Sequence, residues 1–252
     1  MADFFSWPAV YLIFGLLMLS LAIASTRVPE PVLRDRPPST MFEAVRMPLI
    51  DFFDRMGKLR GVCILVFIVF YRLGDAMVNN MATSFLLQTG FRQTDLGVIQ
   101  GGVGVFATIV GVLAGGAVIN RIGVNRSLWV FGVLQAASNF AYLLLAHVGR
   151  NYPVMVLTII VENVCYGLAT ASLVGFIMSI CNPRFSATQY ALLSSLIAVG
   201  RDVVAAPSGS VAELLGWPAF FWISVVAAMP GMMLLPFFAP WKEDLKPAAV
   251  RL

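Results

Sequence analysis

The chain has 252 residues and a formal net charge of +4; 59% of its residues are hydrophobic and only 12% are charged. Soluble proteins carry about 25% charged residues, so this composition excludes an ordinary soluble domain. The positive charge fits the orientation rule of membrane proteins, and no nucleic-acid partner is expected.

Seven long apolar segments predict transmembrane helices, because about 20 apolar residues are needed to cross a hydrocarbon core of roughly 30 Å. A helix satisfies its own backbone hydrogen bonds in lipid. The predicted spans are residues 8–25, 61–87, 96–119, 127–148, 153–181, 187–212 and 218–239. The predicted fold class is therefore all-α, a polytopic membrane helical bundle.

The basic residues predict an orientation for this bundle. If all seven segments cross, thirteen Lys and Arg residues fall on one side and only Arg92 and Arg150 on the other. Basic residues mark the cytoplasmic side. We therefore expect the N-terminus outside and the C-terminus in the cytoplasm.

The connection after the first span, residues 26–60, is long and contains a predicted amphipathic helix. Thr40 and Glu43 fit a capping box at its start. The helix is predicted either to lie on the cytoplasmic leaflet or to tether two membrane units. Pro48 is expected to kink or split it.

The second span carries Arg72, Asp75 and Asn79 at positions i, i+3 and i+7, with Asn80 beside them. This spacing places the first three on one helical face. Ionisable groups inside a membrane almost always face a bundle interior or a wet cavity. The favoured interpretation is a polar stripe along a solute pathway. The alternative is a local Arg–Asp pair that neutralises itself and helps the helix to insert.

The fifth span carries a polar group of residues: Glu162, Asn163, Tyr166 and Thr170. Glu162 has no basic residue in its own span, and a buried carboxyl group without a partner tends to hold a proton. Glu162 is therefore the first candidate for a proton carrier and Asp75 the second. The alternative is that Glu162 is a fixed partner of Arg72 or Arg201.

The fourth and sixth spans add further candidates for a substrate pathway. Gln135 and Asn139 lie one turn apart, and their amides fit sugar hydroxyl groups or a bridge between neighbouring helices. Arg201 is suited to hold a substrate carboxylate by two parallel hydrogen bonds, or to form a structural pair with an aspartate. Gln189 and Asp202 complete the predicted pathway residues of the sixth span.

A loop pattern follows the third span, with Gly116, Asn120, Arg121, Gly123, Asn125 and Arg126. It resembles the cytoplasmic loop signature G-x-x-x-D-R-x-G-x-R-R of the major facilitator superfamily. Asn120 replaces the Asp of that signature, and Asn125 replaces its first basic residue. If this loop is the second copy of the signature, the first span is helix six of that fold and the last six spans are helices seven to twelve.

Five stretches resemble the C-terminal half of the AmpG-type muropeptide permeases: YRLGDAMVNNM, LQAASNFAYLLLA, VENVCYGLATAS, SATQYALLSSL and GWPAFFWIS. The resemblance implies proton-coupled import of anhydro-muropeptides, which are cell-wall glycopeptide fragments, across the bacterial inner membrane. It also implies an N-terminal transporter half as a partner. Facilitator-type transporters bind substrate between two such halves.

The expected organisation is a first transmembrane helix in residues 1–25, a cytoplasmic central loop in 26–60, a six-helix transporter half in 61–240 and a cytoplasmic tail in 241–252. No metal, cofactor or enzymatic activity is expected, since no cluster of ligands and no Ser–His pairing is evident in the sequence. The alternatives are a facilitator for another solute, such as an acyl-CoA-like anion, and a non-transporting fragment that acts as a partner or signalling subunit.

Overall fold

The computed structural model describes residues 7–27 and 40–241. In these ranges the chain contains helices and turns but no strands. It divides into two units, residues 1–39 and 40–252. Helix α1 (Trp7–Ser25) belongs to the first unit. The front of the central loop and the predicted cytoplasmic tail lie almost wholly outside the described residues.

The second unit contains ten α-helices in its described part. They are α2 (Met41–Met56), α3 (Lys58–Phe70), α4 (Leu73–Gln88), α5 (Gln93–Val98), α6 (Val105–Ile122), α7 (Val124–Val148), α8 (Tyr152–Ile180), α9 (Ser186–Val199), α10 (Ser208–Ala227) and α11 (Met229–Phe238). A π-helical segment joins α5 to α6, and another, Gly200–Val204, follows α9.

Six helical stretches among the described residues are long and apolar enough to cross a membrane: Pro8–Ser25, Lys58–Gln88, Gln93–Ile122, Val124–Val148, Tyr152–Ile180 and Ser208–Phe238. Their number and composition are those of a multi-pass membrane protein, which confirms the predicted all-α class. The predicted span 187–212 is not among these six stretches. Helix α9 ends at Val199, a π segment follows, and α10 begins directly after Pro207.

The helix predicted in the central loop is present as α2. The Thr40 side chain accepts a hydrogen bond from the backbone N–H of Glu43 at 3.1 Å, which confirms the predicted N-cap. The helix runs through Pro48 and is not split there. Phe52 on its inner face is only 2% exposed and joins an apolar cluster with α3, whereas Phe42 is 72% exposed.

Two apolar clusters form the core of the second unit, and polar residues separate them along three helices. Along α7, Leu128 belongs to one cluster and Tyr142 to the other, with Gln135 between them. Along α8, Glu162 lies between Ile159 and Leu173 in the same way. The apolar sequence of these helices is therefore interrupted at one common level, about half-way along the bundle.

Candidate functional site

The site is organised by a break between α3 and α4. Arg72 occupies the N-cap position of α4 with φ −112° and ψ 15°, outside the helical region, and Asp75 lies in the first turn. The N-terminus of a helix carries partial positive charge and stabilises a nearby carboxylate. The break therefore gives Asp75 a favourable position inside an otherwise apolar span.

Arg72 and Asp75 form a buried ion pair, with 2.7 Å between Nη2 and Oδ2. Their side chains are 11% and 4% exposed. Nη1 of Arg72 also donates to Oγ1 of Thr170 at 2.7 Å, and the guanidinium lies over the Tyr166 ring at 3.9 Å from its centre. On its other oxygen, Asp75 accepts from Nε2 of Gln135 at 2.7 Å. The predicted local Arg–Asp pair exists, and it is built into a larger network.

Glu162 lies beside this ion pair. Its Oε1 is 3.1 Å from Nδ2 of Asn79, and the same nitrogen is 3.1 Å from Oδ1 of Asp75. Nδ2 of Asn163 donates to the other oxygen of Glu162 at 3.0 Å. Glu162 is 4% exposed. In the described ranges no Lys or Arg forms an ion pair with it: Arg72 pairs with Asp75, and Arg201 pairs with Asp202.

We call Arg72, Asp75, Asn79, Gln135 and Glu162 the central cluster. It holds one cationic group and two carboxyl groups. With both carboxyl groups ionised the cluster carries one net negative charge, and one proton makes it neutral. Because Asn79 is exposed on the surface of the second unit, this charge lies next to an accessible face of the bundle.

Two threonines extend the cluster that was predicted from sequence. Thr170 receives the Arg72 hydrogen bond, and Oγ1 of Thr108 donates to Oδ1 of Asn163 at 2.9 Å. Thr170 was visible in the polar stripe of the fifth span. Thr108 could not be predicted from the sequence, because the hydroxyl group of an isolated threonine in an apolar helix usually donates to a backbone carbonyl of the same helix. It does that here as well, to the carbonyl of Gly104.

Gln189 lies apart from the central cluster, although it was predicted in the same pathway. It is 2% exposed and belongs to a second polar group with α2. Its Nε2 donates to the Pro48 carbonyl at 2.8 Å and to Oδ2 of Asp51 at 3.0 Å. Its Oε1 accepts from the backbone N–H of Asn182 at 2.6 Å and from Nη2 of Arg55 at 3.3 Å. We call Asp51, Arg55, Asn182 and Gln189 the α2–α9 cluster.

The remaining pathway candidates lie around the central cluster. Arg201 and Asp202 pair with each other at 2.7 Å, with side chains 60% and 61% exposed. Nδ2 of Asn80 lies 3.5 Å from the Arg201 carbonyl, so α4 contacts the π segment there. Asn139 is buried and donates to Oγ of Ser224 at 3.2 Å, which fits the predicted bridge between helices.

The loop signature lies at the α6–α7 turn. Gly123 joins the two helices with φ +82°, a conformation that favours glycine. Asn120, Arg121 and Arg126 are exposed, and Gly116 is half-buried. Nε of Arg126 donates to the Trp241 carbonyl at 3.1 Å, so this signature residue holds the chain just after α11. Among the described residues, no group of three or more His, Cys, Asp or Glu side chains is placed to hold a metal ion.

Comparisons with known proteins identify the family to which the chain belongs. A family model described as Major Facilitator Superfamily matches residues 1–205. Anhydromuropeptide permease of Escherichia coli (strain K12) is 41% identical over 230 residues, which are 91% of this chain and 46% of that protein. The protein of the same name in Escherichia coli O157:H7 gives the same values. An uncharacterized protein of Haemophilus influenzae is 30% identical over 248 residues, 95% of this chain and 57% of that protein. The chain spans about half the length of these relatives.

Proposed function

Because the chain belongs to the major facilitator superfamily, we propose that it forms the C-terminal half of a transporter that imports a cell-wall glycopeptide together with protons. The observation that carries the proposal is the charge imbalance of the central cluster. A buried ion pair needs only one carboxylate, yet Glu162 lies beside Asp75 and shares the Asn79 amide with it. A second buried carboxyl group costs free energy inside a membrane, and such groups usually mark a pathway for ions, protons or substrate.

The proposed use is to carry a proton. Proton binding to Glu162 neutralises the cluster, and proton release leaves one negative charge next to the Arg72–Asp75 pair. A transporter that alternates between two open states exposes such a site to each side in turn. Glu162 is the proposed carrier, and Asp75 is the proposed fixed partner of Arg72, because Arg72, Gln135 and Asn79 all donate to it.

The proposed substrate is an anhydro-muropeptide, in line with the names of the Escherichia coli relatives. Such a molecule has sugar hydroxyl groups and peptide carboxylates. Exposed polar groups near the central cluster suit both: the amides of Asn79 and Asn80 for hydroxyl groups, and the guanidinium of Arg201 for a carboxylate. Tyr166 lies against the Arg72 guanidinium and Asn163 donates to Glu162, so both border the central cluster.

The proposed setting is the bacterial inner membrane, with the N-terminus outside and the C-terminus in the cytoplasm. In this arrangement residues 26–60 form the central loop, residues 61–240 form the six-helix half, and an N-terminal half is the partner. Substrate in this superfamily binds near the membrane midplane between two halves. The level of the central cluster, half-way along the bundle, supports that position.

Uptake into membrane vesicles tests the proposal. Labelled anhydro-muropeptide is supplied outside, an inward proton gradient is imposed, and the chain is expressed with and without an N-terminal half in trans. We expect uptake only when both halves are present. Absence of uptake and of substrate binding in both cases would contradict the transporter proposal.

Glu162→Gln tests the proton role separately. We expect this variant to lose uptake driven by the proton gradient while it still exchanges substrate across the membrane. Glu213→Gln is the matched control, because Glu213 carries the same carboxyl group at an exposed position of α10. Unchanged gradient-driven uptake in Glu162→Gln would remove Glu162 from the role.

A further inference from the structure

Two buried oxygen atoms lie behind the central cluster with no hydrogen-bond partner in the described part of the chain. They are Oε1 of Gln135 and Oδ1 of Asn139. The two residues are 5% and 1% exposed, and they lie one turn apart on α7. Buried carbonyl oxygens in proteins are almost always paired, with protein groups or with ordered water.

The nitrogen atoms of the same two amides donate to neighbouring points of two other helices. Nε2 of Gln135 donates to Asp75 on α4, and Nδ2 of Asn139 donates to Ser224 on α10. Gly74, the residue before Asp75, lies so close to the Ser224 carbonyl that a Cβ would not fit there. The helices α4 and α10 therefore meet at Gly74 and Ser224, and the NH₂ groups of both α7 amides donate to residues at or next to that junction.

We propose that Gln135 and Asn139 bind one internal water molecule at this junction, between α4, α7 and α10. A water molecule has two O–H donors, which match two unpaired acceptors that are one helical turn apart. Buried waters typically make about three hydrogen bonds to buried polar groups that lack other partners. A cation such as Ca²⁺ takes about six to eight oxygen ligands, so two oxygens are too few for one.

The water gives Gln135 a fixed orientation. Because the water occupies the oxygen side of the amide, the NH₂ side must face Asp75. Gln135 is then a positioning residue that keeps its donor on the Asp75 carboxyl group. Loss of the water allows the amide to turn, so that Asp75 loses this donor. The consequence for transport rests on the proposed function, whereas the water site itself rests on geometry alone.

A high-resolution structure of the full chain in lipid nanodiscs tests the site directly. We expect a density peak about 2.7–3.2 Å from both oxygens. The proposal is overturned if no peak is present there, whether or not the Asn139 amide is turned so that its Nδ2 donates directly to Oε1 of Gln135. Since this test uses the wild-type chain, it does not depend on how well any variant folds.

Variants test the positioning role. Asn139→Leu removes one ligand of the water, and Thr158→Val is the control, because Thr158 is also buried but its hydroxyl donates to the Ala141 carbonyl. We expect Asn139→Leu to lose the density peak and to shift the pH of half-maximal uptake by about one unit, the effect of one hydrogen bond to a charged group. Thr158→Val keeps both the peak and the pH profile.

The outcomes separate the two proposals. An unshifted pH profile in an Asn139→Leu protein that has lost the water overturns the positioning role of Gln135. If the wild-type chain with its N-terminal half shows no uptake, the proposed function fails, and the density at the α4–α10 junction still decides the water site.

Discussion

The central cluster and the α2–α9 cluster share four residue types, and the central cluster has Glu162 in addition. Arg72, Asp75, Gln135 and Asn79 form one set, and Arg55, Asp51, Gln189 and Asn182 form the other. In each, an Arg–Asp pair lies within one turn of chain, and a glutamine from a distant helix donates to the aspartate.

The two clusters differ in charge and in burial. Arg55 and Asp51 are 28% and 24% exposed and balance each other, whereas Arg72 and Asp75 are 11% and 4% exposed and Glu162 lies beside them. Gln189 makes four hydrogen bonds, while Gln135 makes one through its side chain. The balanced, fully bonded cluster is suited to holding α2 in place. The unbalanced cluster holds a second carboxyl group, Glu162, which is the group that the proposed proton exchange uses.

The largest effect on stability is expected from Asp75→Asn, because it removes the carboxylate that pairs directly with the buried Arg72 guanidinium. Breaking a buried ion pair in this way costs about 3–5 kcal/mol. Asp51→Asn is the matched change in the α2–α9 cluster. We expect it to cost about 1–2 kcal/mol, since Arg55 is more exposed and the loss is mainly of hydrogen bonds. Thermal unfolding of the purified proteins in detergent measures both.

A double variant checks the reason for that difference. Arg72→Gln combined with Asp75→Asn removes the unpaired charge, so the protein should regain part of the stability that Asp75→Asn loses. A double variant that unfolds at or below the temperature of Asp75→Asn would show that the cost does not come from the Arg72 charge.

Gln189→Leu is expected to have the next largest effect. It removes four hydrogen bonds and leaves the Asn182 N–H and the Pro48 carbonyl without this partner. We expect a loss of about 3 kcal/mol, against about 1–2 kcal/mol for Gln135→Leu, which removes one bond to Asp75. Unfolding temperature measures the loss, and limited proteolysis of α2 shows whether it has detached. Equal effects of the two variants would contradict the structural role of Gln189.

Sequence predicted the class of the fold because hydropathy and length decide whether a helix can cross a membrane. It also predicted α2 from a cap and a periodic apolar face. The breaks in the spans were harder to predict. The break at Tyr71–Arg72 depends on packing, since no proline lies there, whereas the interruption between α9 and α10 ends at Pro207.

Sequence also predicted most members of the central cluster, because charged and amide residues stand out in apolar helices. It could not predict which residues meet. Arg72 and Asp75 were paired from local spacing, whereas the contacts of Glu162 with Asn79 and of Gln135 with Asp75 join different spans. Gln189 was assigned to the pathway because the sequence shows which helix carries it but not at which level of the bundle it lies. Only the three-dimensional structure places it beside α2.

A smaller effect on stability is expected from Glu162→Gln. The variant keeps one acceptor for Asn79 and places an NH₂ group where a protonated carboxyl group has its O–H. Asn163 keeps its bond to the Ile159 carbonyl. We therefore expect a change of no more than about 1 kcal/mol, measured by thermal unfolding as for Asp75→Asn. A loss as large as that of Asp75→Asn would show that Glu162 is a structural member of the cluster.

The smallest effect on stability is expected from Arg201→Gln. The Arg201–Asp202 pair lies in the π segment with both side chains exposed, so its ions are screened by solvent and their loss leaves no buried charge. We expect an unchanged unfolding temperature together with reduced glycopeptide uptake, because a guanidinium is suited to hold a substrate carboxylate. Arg92→Gln, at the exposed start of α5, is the control and should change neither. Arg201 and Arg72 carry the same guanidinium group and differ in burial. A fall in stability without a fall in uptake would assign Arg201 a structural role and remove it from the proposed substrate pathway.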